Sequence, residues 1–382
     1  MWIDRCNATI NLNLEQMEKF ANEFNQNFKA IHIGGTNGKG SVSAFIVSSL
    51  YKYKVGLYTS PHLERVNERI KINGKEIRDD EIKKYEWLCK YNFTYFEGLT
   101  ALAFKYFEEN NVDYAVIEVG MGGKYDATNI INPFITIITN VEIEHTQWLG
   151  DSIEKIAKEK AGIIKNAPVV TGCKGKALEI VKKMAKEKGV EIYVEGVDFS
   201  WKRSGKHFLI KSDYEYLIKP KMNAIYQGSN IAIAVKSLEI IGMEKNDIIK
   251  GIENAFMPAR MERIGKYIID GAHNPAAIRA FIEALKEVGI KPIVIFGAMK
   301  DKDVKSMLSI VSPAAKKFIL TKASCSRAME PEKMAKWCKG CVLTKNVEEA
   351  IEMVEKMNED VAIVGSLYLA GEARKILKSK AY

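Results

Sequence analysis

The chain has 382 residues, more than one typical core holds, so two domains are expected. Hydrophobic residues make up 47% and charged residues 27%, an ordinary globular balance, and six scattered cysteines do not spell a secreted disulfide framework. No apolar run reaches membrane-spanning length, no signal peptide is read, and the net charge of +9 comes with interleaved Lys and Glu rather than a basic stripe, so we expect a cytoplasmic protein without a membrane or nucleic-acid partner.

Residues up to about 27 are polar and Asn-rich around one amphipathic helix, with Leu12, Leu14, Met17, Phe20 and Phe24 near one face. Residues 28–33 then form an apolar run of strand type, and Val42, Ala44, Phe45, Ile46, Val47 and Leu50 mark a helical stripe. Between them lies Gly34-Gly35-Thr36-Asn37-Gly38-Lys39-Gly40-Ser41. A strand, a glycine turn and a helix N-terminus aim backbone N–H groups at one point, which suits a phosphate. Gly35, Gly38 and Gly40 allow close approach and positive φ, Lys39 suits the β/γ-phosphates, and the Ser41 hydroxyl suits Mg²⁺. The spelling departs from G-x-x-x-x-G-K-[ST] because Gly40 stands between the lysine and the serine.

A second strand is expected over 55–59, ending in Ser60-Pro61-His62-Leu63, followed by a hairpin turn at Asn73-Gly74 and a helix over 97–109. Residues 114–119 read as an apolar strand carrying Glu118, where an unpaired buried carboxylate is costly and so calls for a function. The loop Gly120-Met121-Gly122-Gly123 runs on to Asp126-Ala127-Thr128-Asn129; no helix can follow the glycines directly, which excludes a nicotinamide site. A strand over 134–139 leads to Asn140, Glu142, Glu144 and His145, and a helix over 152–164 carries Lys160. A strand at 169–171 and a helix at 177–188 come next, then short strands over 191–218, expected as a small antiparallel appendage. Tyr226-Gln227-Gly228-Ser229-Asn230 opens an Ala/Ile-rich helix.

Residues 256–263 read as a domain boundary, dividing the chain into 1–262 and 263–382. Strand–helix alternation restarts beyond it: a strand at 267–269, the loop Asp270-Gly271-Ala272-His273-Asn274-Pro275, a helix over 277–288, and strands at 292–296, 318–321 and 361–364. The expected fold is α/β throughout: a P-loop-type parallel-sheet ATP-binding domain with a small β appendage, followed by a smaller Rossmann-like α/β domain.

Ser41, Ser60 and Glu118 offer the oxygens that Mg²⁺ prefers; His145 is a less usual ligand and serves equally as a packed residue. Lys160, near a helix C-terminus, is favoured there by the helix dipole, and Asp270 with His273 can be ligand-facing or a simple turn. Cys338 and Cys341 resemble a redox dithiol in spacing, yet no strand directly precedes them, and Cys325 does not complete a zinc set.

Taken in order, Gly35-Thr36-Asn37-Gly38-Lys39-Gly40-Ser41, Thr59-Ser60-Pro61-His62-Leu63, residues 96–104, the 118–129 loop, His145 before Leu149-Gly150, Glu159-Lys160-Ala161-Gly162, Asp270 to Pro275 and Gly365-Ser366-Leu367 form one series. It resembles the folylpolyglutamate synthase/dihydrofolate synthase branch of the Mur ligase superfamily. The resemblance implies an ATP-dependent ligase that phosphorylates a pterin- or folate-type carboxylate and joins it to L-glutamate. It implies Lys39, Lys160 and His273 as catalytic residues, and Gly35 to Ser41, Asn230, Arg260, Asp270 and His273 as ATP contacts. Ser41, Ser60, Glu118, His145 and a carbamylated Lys160 become ligands of two Mg²⁺ ions, Asp126, Ala127 and Thr128 meet the substrate, and a monovalent cation is admitted. A monomer whose second domain closes over ATP completes that picture.

Two departures stand out: the family's Pro-Gly-Arg appears as Pro258-Ala259-Arg260, and the N-terminal segment does not spell the pterin-contacting region. Two alternatives accompany the folate ligase: the same chemistry on a non-folate cofactor precursor or cell-wall-type acceptor, and a non-catalytic nucleotide-binding regulator. Joint retention of Lys39, Glu118, His145, Lys160 and His273 argues against the last.

Overall fold

Eight strands make the sheet that carries the phosphate loop: β1 (Lys29–Gly34), β2 (Val55–Tyr58), β3 (Ile70–Ile72), β4 (Lys75–Glu76), β5 (Tyr114–Glu118), β6 (Pro133–Ile138), β7 (Val169–Thr171) and β8 (Ile192–Val194). The structure, a computed structural model, describes residues 2–6 and 13–380, and Leu12 lies outside them. The strand order is β4-β3-β2-β5-β1-β6-β7-β8, parallel except for the β2–β3 and β3–β4 pairings. Every residue of β5 is buried, as a central parallel strand covered on both faces requires. Parallel strands put their carboxyl ends on one edge, so the phosphate loop after β1, Ser60 after β2, Glu118 closing β5 and Asn140 after β6 all arrive there.

Local chemistry sets the supporting elements. The helix Tyr95–Glu109 opens with a reciprocal capping box: Thr94 Oγ1 accepts from the Glu97 amide at 3.3 Å, and Glu97 Oε2 accepts from the Thr94 amide at 2.7 Å. Its Leu99, Leu102, Ala103 and Phe107 join Met17 and Phe20 of the helix Glu15–Ala21 in one core beneath β1 and β5. Asn73 and Gly74 both take positive φ, the two-residue turn that joins β3 to β4. The helix Ile153–Ala161 starts where Ser152 Oγ accepts from the Lys155 amide and ends at Gly162, setting Lys160 in its last turn.

The 191–218 region differs from expectation. Its first strand, β8, pairs with β7 as a parallel edge strand of the main sheet. Only β9 (Ser200–Ser204), β10 (His207–Lys211) and β11 (Glu215–Ile218) form the antiparallel appendage.

Internal contacts divide the chain into two units. The first runs to Lys221 and resumes over Gln227–Phe256; the second takes Met222–Tyr226 and the chain from Met257 onward, whereas 262/263 was the expected division. The second unit holds β12 (Glu262–Ile264), β13 (Tyr267–Ile269), β14 (Ile293–Phe296), β15 (Lys317–Leu320), β16 (Val342–Leu343) and β17 (Val361–Val364). Their order is β12-β13-β17-β14-β15-β16, with β12 antiparallel to β13 and the rest parallel. The helix Pro275–Glu287 follows β13 directly, with Asn274 Oδ1 accepting from the Ala277 amide and proline at its first position. Among the described residues no helix is long and apolar enough to cross a membrane.

Candidate active site

The turn between β1 and the helix Lys39–Ser49 is built for an anion. Gly38 occupies the N-cap position in the left-handed region at φ 87° and, having no side chain, supplies no cap of its own. The first amides of a helix have no intrahelical acceptor, which makes a glycine-capped start of this kind suited to an anion. A Cβ on Gly38 would sit 2.2 Å from Asn230 Oδ1, and one on Gly35, at φ 132°, 1.9 Å from Thr139 Oγ1. Both positions therefore require glycine. Residues just past β6 brace the loop: Asn140 accepts from the Thr36 amide through its carbonyl and from the Asn37 amide through its side chain, each at 2.9 Å, and Thr139 Oγ1 donates to the Asn37 carbonyl at 2.7 Å.

Three side chains converge on this loop. Lys39 Nζ donates to the Gly35 and Thr36 carbonyls at 3.0 and 3.1 Å. Lys160 Nζ reaches the same Gly35 carbonyl at 3.0 Å and pairs with Glu144 Oε1 at 2.9 Å, both side chains at least nine-tenths buried. Gln227, first residue of the helix Gln227–Ile241, donates to Ser41 Oγ at 3.3 Å and accepts from Asn230 Nδ2 at 2.8 Å. Trp201 of the appendage lies over the start of that helix, where a Cβ on Gly228 would come within 2.3 Å of its ring.

Burial pulls the Lys160 ammonium below its ordinary value, Glu144 opposing and Lys39 adding to the effect. Burial also raises Glu144, but the positive charges of Lys160, Lys39 and His145 outweigh it and hold that carboxyl down at about 2. His145 itself sits at φ 49°, ψ 39°, at the start of the short helix Thr146–Leu149. Glu118 is buried at the last position of β5, with the Ser60 amide 3.4 Å from its Oε2.

Asp126 organises the loop after β5. One carboxylate oxygen accepts from the Gly120 and Met121 amides at 3.0 and 2.9 Å; the other accepts from the Thr128 amide and hydroxyl at 3.0 and 2.5 Å. Because Thr128 gives its proton to Asp126, it accepts from His32 Nε2 of β1 at 2.9 Å. Burial raises Asp126 and drives His32 down to about 3, a neutral ring. Ala127 is buried between them in the single turn Ala127–Ile130.

In the second unit, Asp270 follows β13 and is buried. Its Oδ2 accepts from the Tyr226 hydroxyl at 2.7 Å and the Met261 amide at 2.9 Å, and its Oδ1 from the Ala272 amide at 2.9 Å. Burial raises it, the Arg260 guanidinium opposing. His273 Nδ1 lies 2.8 Å from the Gly271 carbonyl, and Arg260 Nη1 donates to the Ala259 carbonyl at 2.9 Å. Ala259 and Met261, on either side of Arg260, both take positive φ.

The arrangement fits a nucleotide with a hard cation. The glycine-capped helix start and two lysines suit phosphate, and Ser41, Ser60 and Glu118 are oxygen donors of the kind Mg²⁺ takes. No three His, Cys, Asp or Glu side chains among the described residues gather to hold a metal alone.

Residues 33–238 match the Mur ligase middle domain, and residues 259–366 match the Mur ligase glutamate ligase domain. A folylpolyglutamate synthase of Lacticaseibacillus casei is 33% identical, the alignment covering 92% of this chain and 90% of that protein. The chain belongs to the folylpolyglutamate synthase/dihydrofolate synthase branch of the Mur ligase family. A probable bifunctional folylpolyglutamate synthase/dihydropteroate synthase of Haloferax volcanii is 32% identical over 90% of this chain, which spans 45% of that longer protein. Among solved structures, a bifunctional folylpolyglutamate synthase/dihydrofolate synthase with Mn, AMPPNP and L-glutamate bound superposes with a TM-score of 0.89 at 26% identity, covering 97% of this chain and 95% of that one.

Within this Mur ligase chain, the structure brings Gly35 to Ser41, Asn230 and Lys160 together at one loop, and Ser60 beside Glu118. Asp126 and Thr128 form a separate buried network, and Arg260, Asp270 and His273 sit together in the second unit. Sequence reasoning assigned no role to Glu144, Gln227, Tyr226 or His32. Glu144 could have been found as a counter-charge demanded by a buried lysine; the other three carry no local signal.

Proposed function

We propose that this chain is an ATP-dependent ligase that joins a folate-type carboxylate to L-glutamate through an acyl phosphate. The observation that carries the proposal is the convergence of Lys39 and Lys160 on the Gly35 carbonyl, at the glycine-capped start of the helix that follows. Two ammonium groups aimed at one turn suit the transfer of a phosphoryl group to another anion, where charge must be neutralised. Lys39 holds the β/γ-phosphates, and Lys160 positions the transferred group. The γ-phosphoryl passes to the acceptor carboxylate, the glutamate amine attacks the acyl phosphate, and amide, ADP and phosphate leave.

Ser41, Ser60, Glu118 and His145 would hold Mg²⁺ at two sites; Lys160, if carbamylated, would join them as a carboxylate and act through the metal instead of as an ammonium, and when bound the metal neutralises phosphate charge. A neutral Lys160 amine is what carbamylation needs, and burial favours that form. Asp126, Ala127 and Thr128 shape the acceptor side. Asn230, Arg260, Asp270 and His273 contact the nucleotide, His273 taking part in catalysis. The family relatives' names and the glutamate-bound solved structure support the substrates. We further propose a cytoplasmic monomer acting on small molecules without nucleic-acid or membrane partners; all six cysteines are free thiols, which suits a reducing compartment.

Phosphate release from MgATP, assayed with glutamate across dihydropteroate, mono- and polyglutamyl folates and modified pterins, tests the assignment. Release that requires both glutamate and one pterin, with a product heavier by one glutamyl residue, is expected. Silence across the panel with ATP still bound would move the chain to a non-pterin acceptor.

A further inference from the structure

Three donors hold the Asp270 carboxylate, and one of them comes from a distant stretch of chain. The chain leaves the first unit after Lys221, passes through the second over Met222–Tyr226, and re-enters the first at Gln227. At the last residue of that excursion, the Tyr226 hydroxyl donates to Asp270 Oδ2 at 2.7 Å. With the Met261 amide also on Oδ2 and the Ala272 amide on Oδ1, three donors hold the carboxylate in one rotamer. Oδ1 keeps a lone pair for a further donor.

We propose that Tyr226 is a positioning residue for the nucleotide site: it holds Asp270 ionised and aimed, acting through that carboxylate rather than touching ligand. The proposal rests on Asp270 contacting ATP, as given above. A phenol is suited to the task. Its hydroxyl has one proton, and burial beside Asp270 raises its pKa well above the ordinary value, so it remains a donor at every working pH. The charged and titratable groups facing Asp270 are Tyr226, the Arg260 guanidinium and, on its own loop, His273. Arg260 and Tyr226 both favour the carboxylate against the burial that opposes it.

The test uses the full chain as wild type, Tyr226→Phe, Asp270→Asn and the double variant, with thermal melting as a check on folding. ADP affinity is measured by titration calorimetry, and KM and kcat for MgATP by phosphate release between acid and neutral pH. Tyr226→Phe should raise the nucleotide Kd and KM about tenfold, the expected size of one lost hydrogen bond to a charged group, with kcat changed less than about twofold. Removing a donor from the ionised form raises the Asp270 pKa, so the acid limb of kcat/KM should move to higher pH. In the Asp270→Asn background, Tyr226→Phe should add nothing. An unshifted acid limb, or losses that multiply in the double variant, would overturn the role of Tyr226 while leaving the ligase assignment intact. A wild type that binds neither ADP nor ATP would overturn both together.

Discussion

Lys39 and Lys160 place their ammonium nitrogens on one acceptor, each 3.0 Å from the Gly35 carbonyl oxygen. Two like charges so close are unfavourable without compensation, and the buried Glu144 carboxylate supplies it at 2.9 Å from Lys160. A phosphate on the loop would bring further negative charge to the same pair. Lys160→Ala is therefore expected to lower kcat by at least about a hundredfold while changing ATP affinity only a few-fold. Equal losses in single-turnover rate and nucleotide Kd would remove its role in positioning the phosphoryl group.

Breaking the pair from the other side tests its structural part. Glu144→Gln leaves a buried lysine without its counter-charge and should cost about 3–5 kcal/mol in urea unfolding at neutral pH. The pH dependence follows from the sign of the shift: Glu144 titrates at about 2 in the folded chain against 4.5 ordinarily, so its contribution is complete above 4.5 and is lost as pH falls towards 2. Wild type should lose more stability than Glu144→Gln between those limits. Parallel losses would show that Glu144 is not the titrating group.

Gly38→Ala should abolish nucleotide binding by calorimetry and lower stability by about 1–3 kcal/mol, because it imposes both a strained φ and a Cβ 2.2 Å from Asn230 Oδ1. Gly74→Ala, also at positive φ but open to solvent, is the control: it shares the backbone strain and should leave ADP affinity unchanged.

Glu118→Gln should raise the Mg²⁺ concentration for half-maximal activity by at least about tenfold, with the melting temperature little changed, because the amide keeps the shape and loses the charge. A magnesium titration identical to wild type would take Glu118 out of the metal set.

Asp126→Asn should act on the acceptor rather than on ATP. The amide cannot accept from all four donors that now meet the carboxylate, so the loop from Gly120 to Thr128 must rearrange. The KM for the acceptor should rise about tenfold or more while that for MgATP stays within about threefold. The opposite split would place this loop on the nucleotide side.

Much of the architecture was legible in the sequence because its signals are local. Apolar strands, Asn73-Gly74 and the Asn274 cap each announce themselves within a few residues, and the phosphate loop is a contiguous motif. Strand β8 was misplaced because a short strand at a sheet edge resembles one in a hairpin until its partner is known, and β7 lies a whole helix away. The site was less legible where function is shared across distance. Lys160 seemed an ordinary helix-end lysine because its partners, Gly35 and Glu144, come from two other elements. Gln227 meets Ser41, and Tyr226 meets Asp270, across long stretches of chain that no spacing rule spans. His32 reads as one more residue in an apolar strand until Thr128 folds onto it.

The most direct test of an acyl-phosphate ligase is the fate of a heavy-oxygen label in the acceptor carboxylate. With MgATP, glutamate and the labelled acceptor, one labelled oxygen should appear in the released phosphate for each amide formed. Amide formation with unlabelled phosphate would contradict the mechanism, because the carboxylate oxygen would never have been bonded to phosphorus.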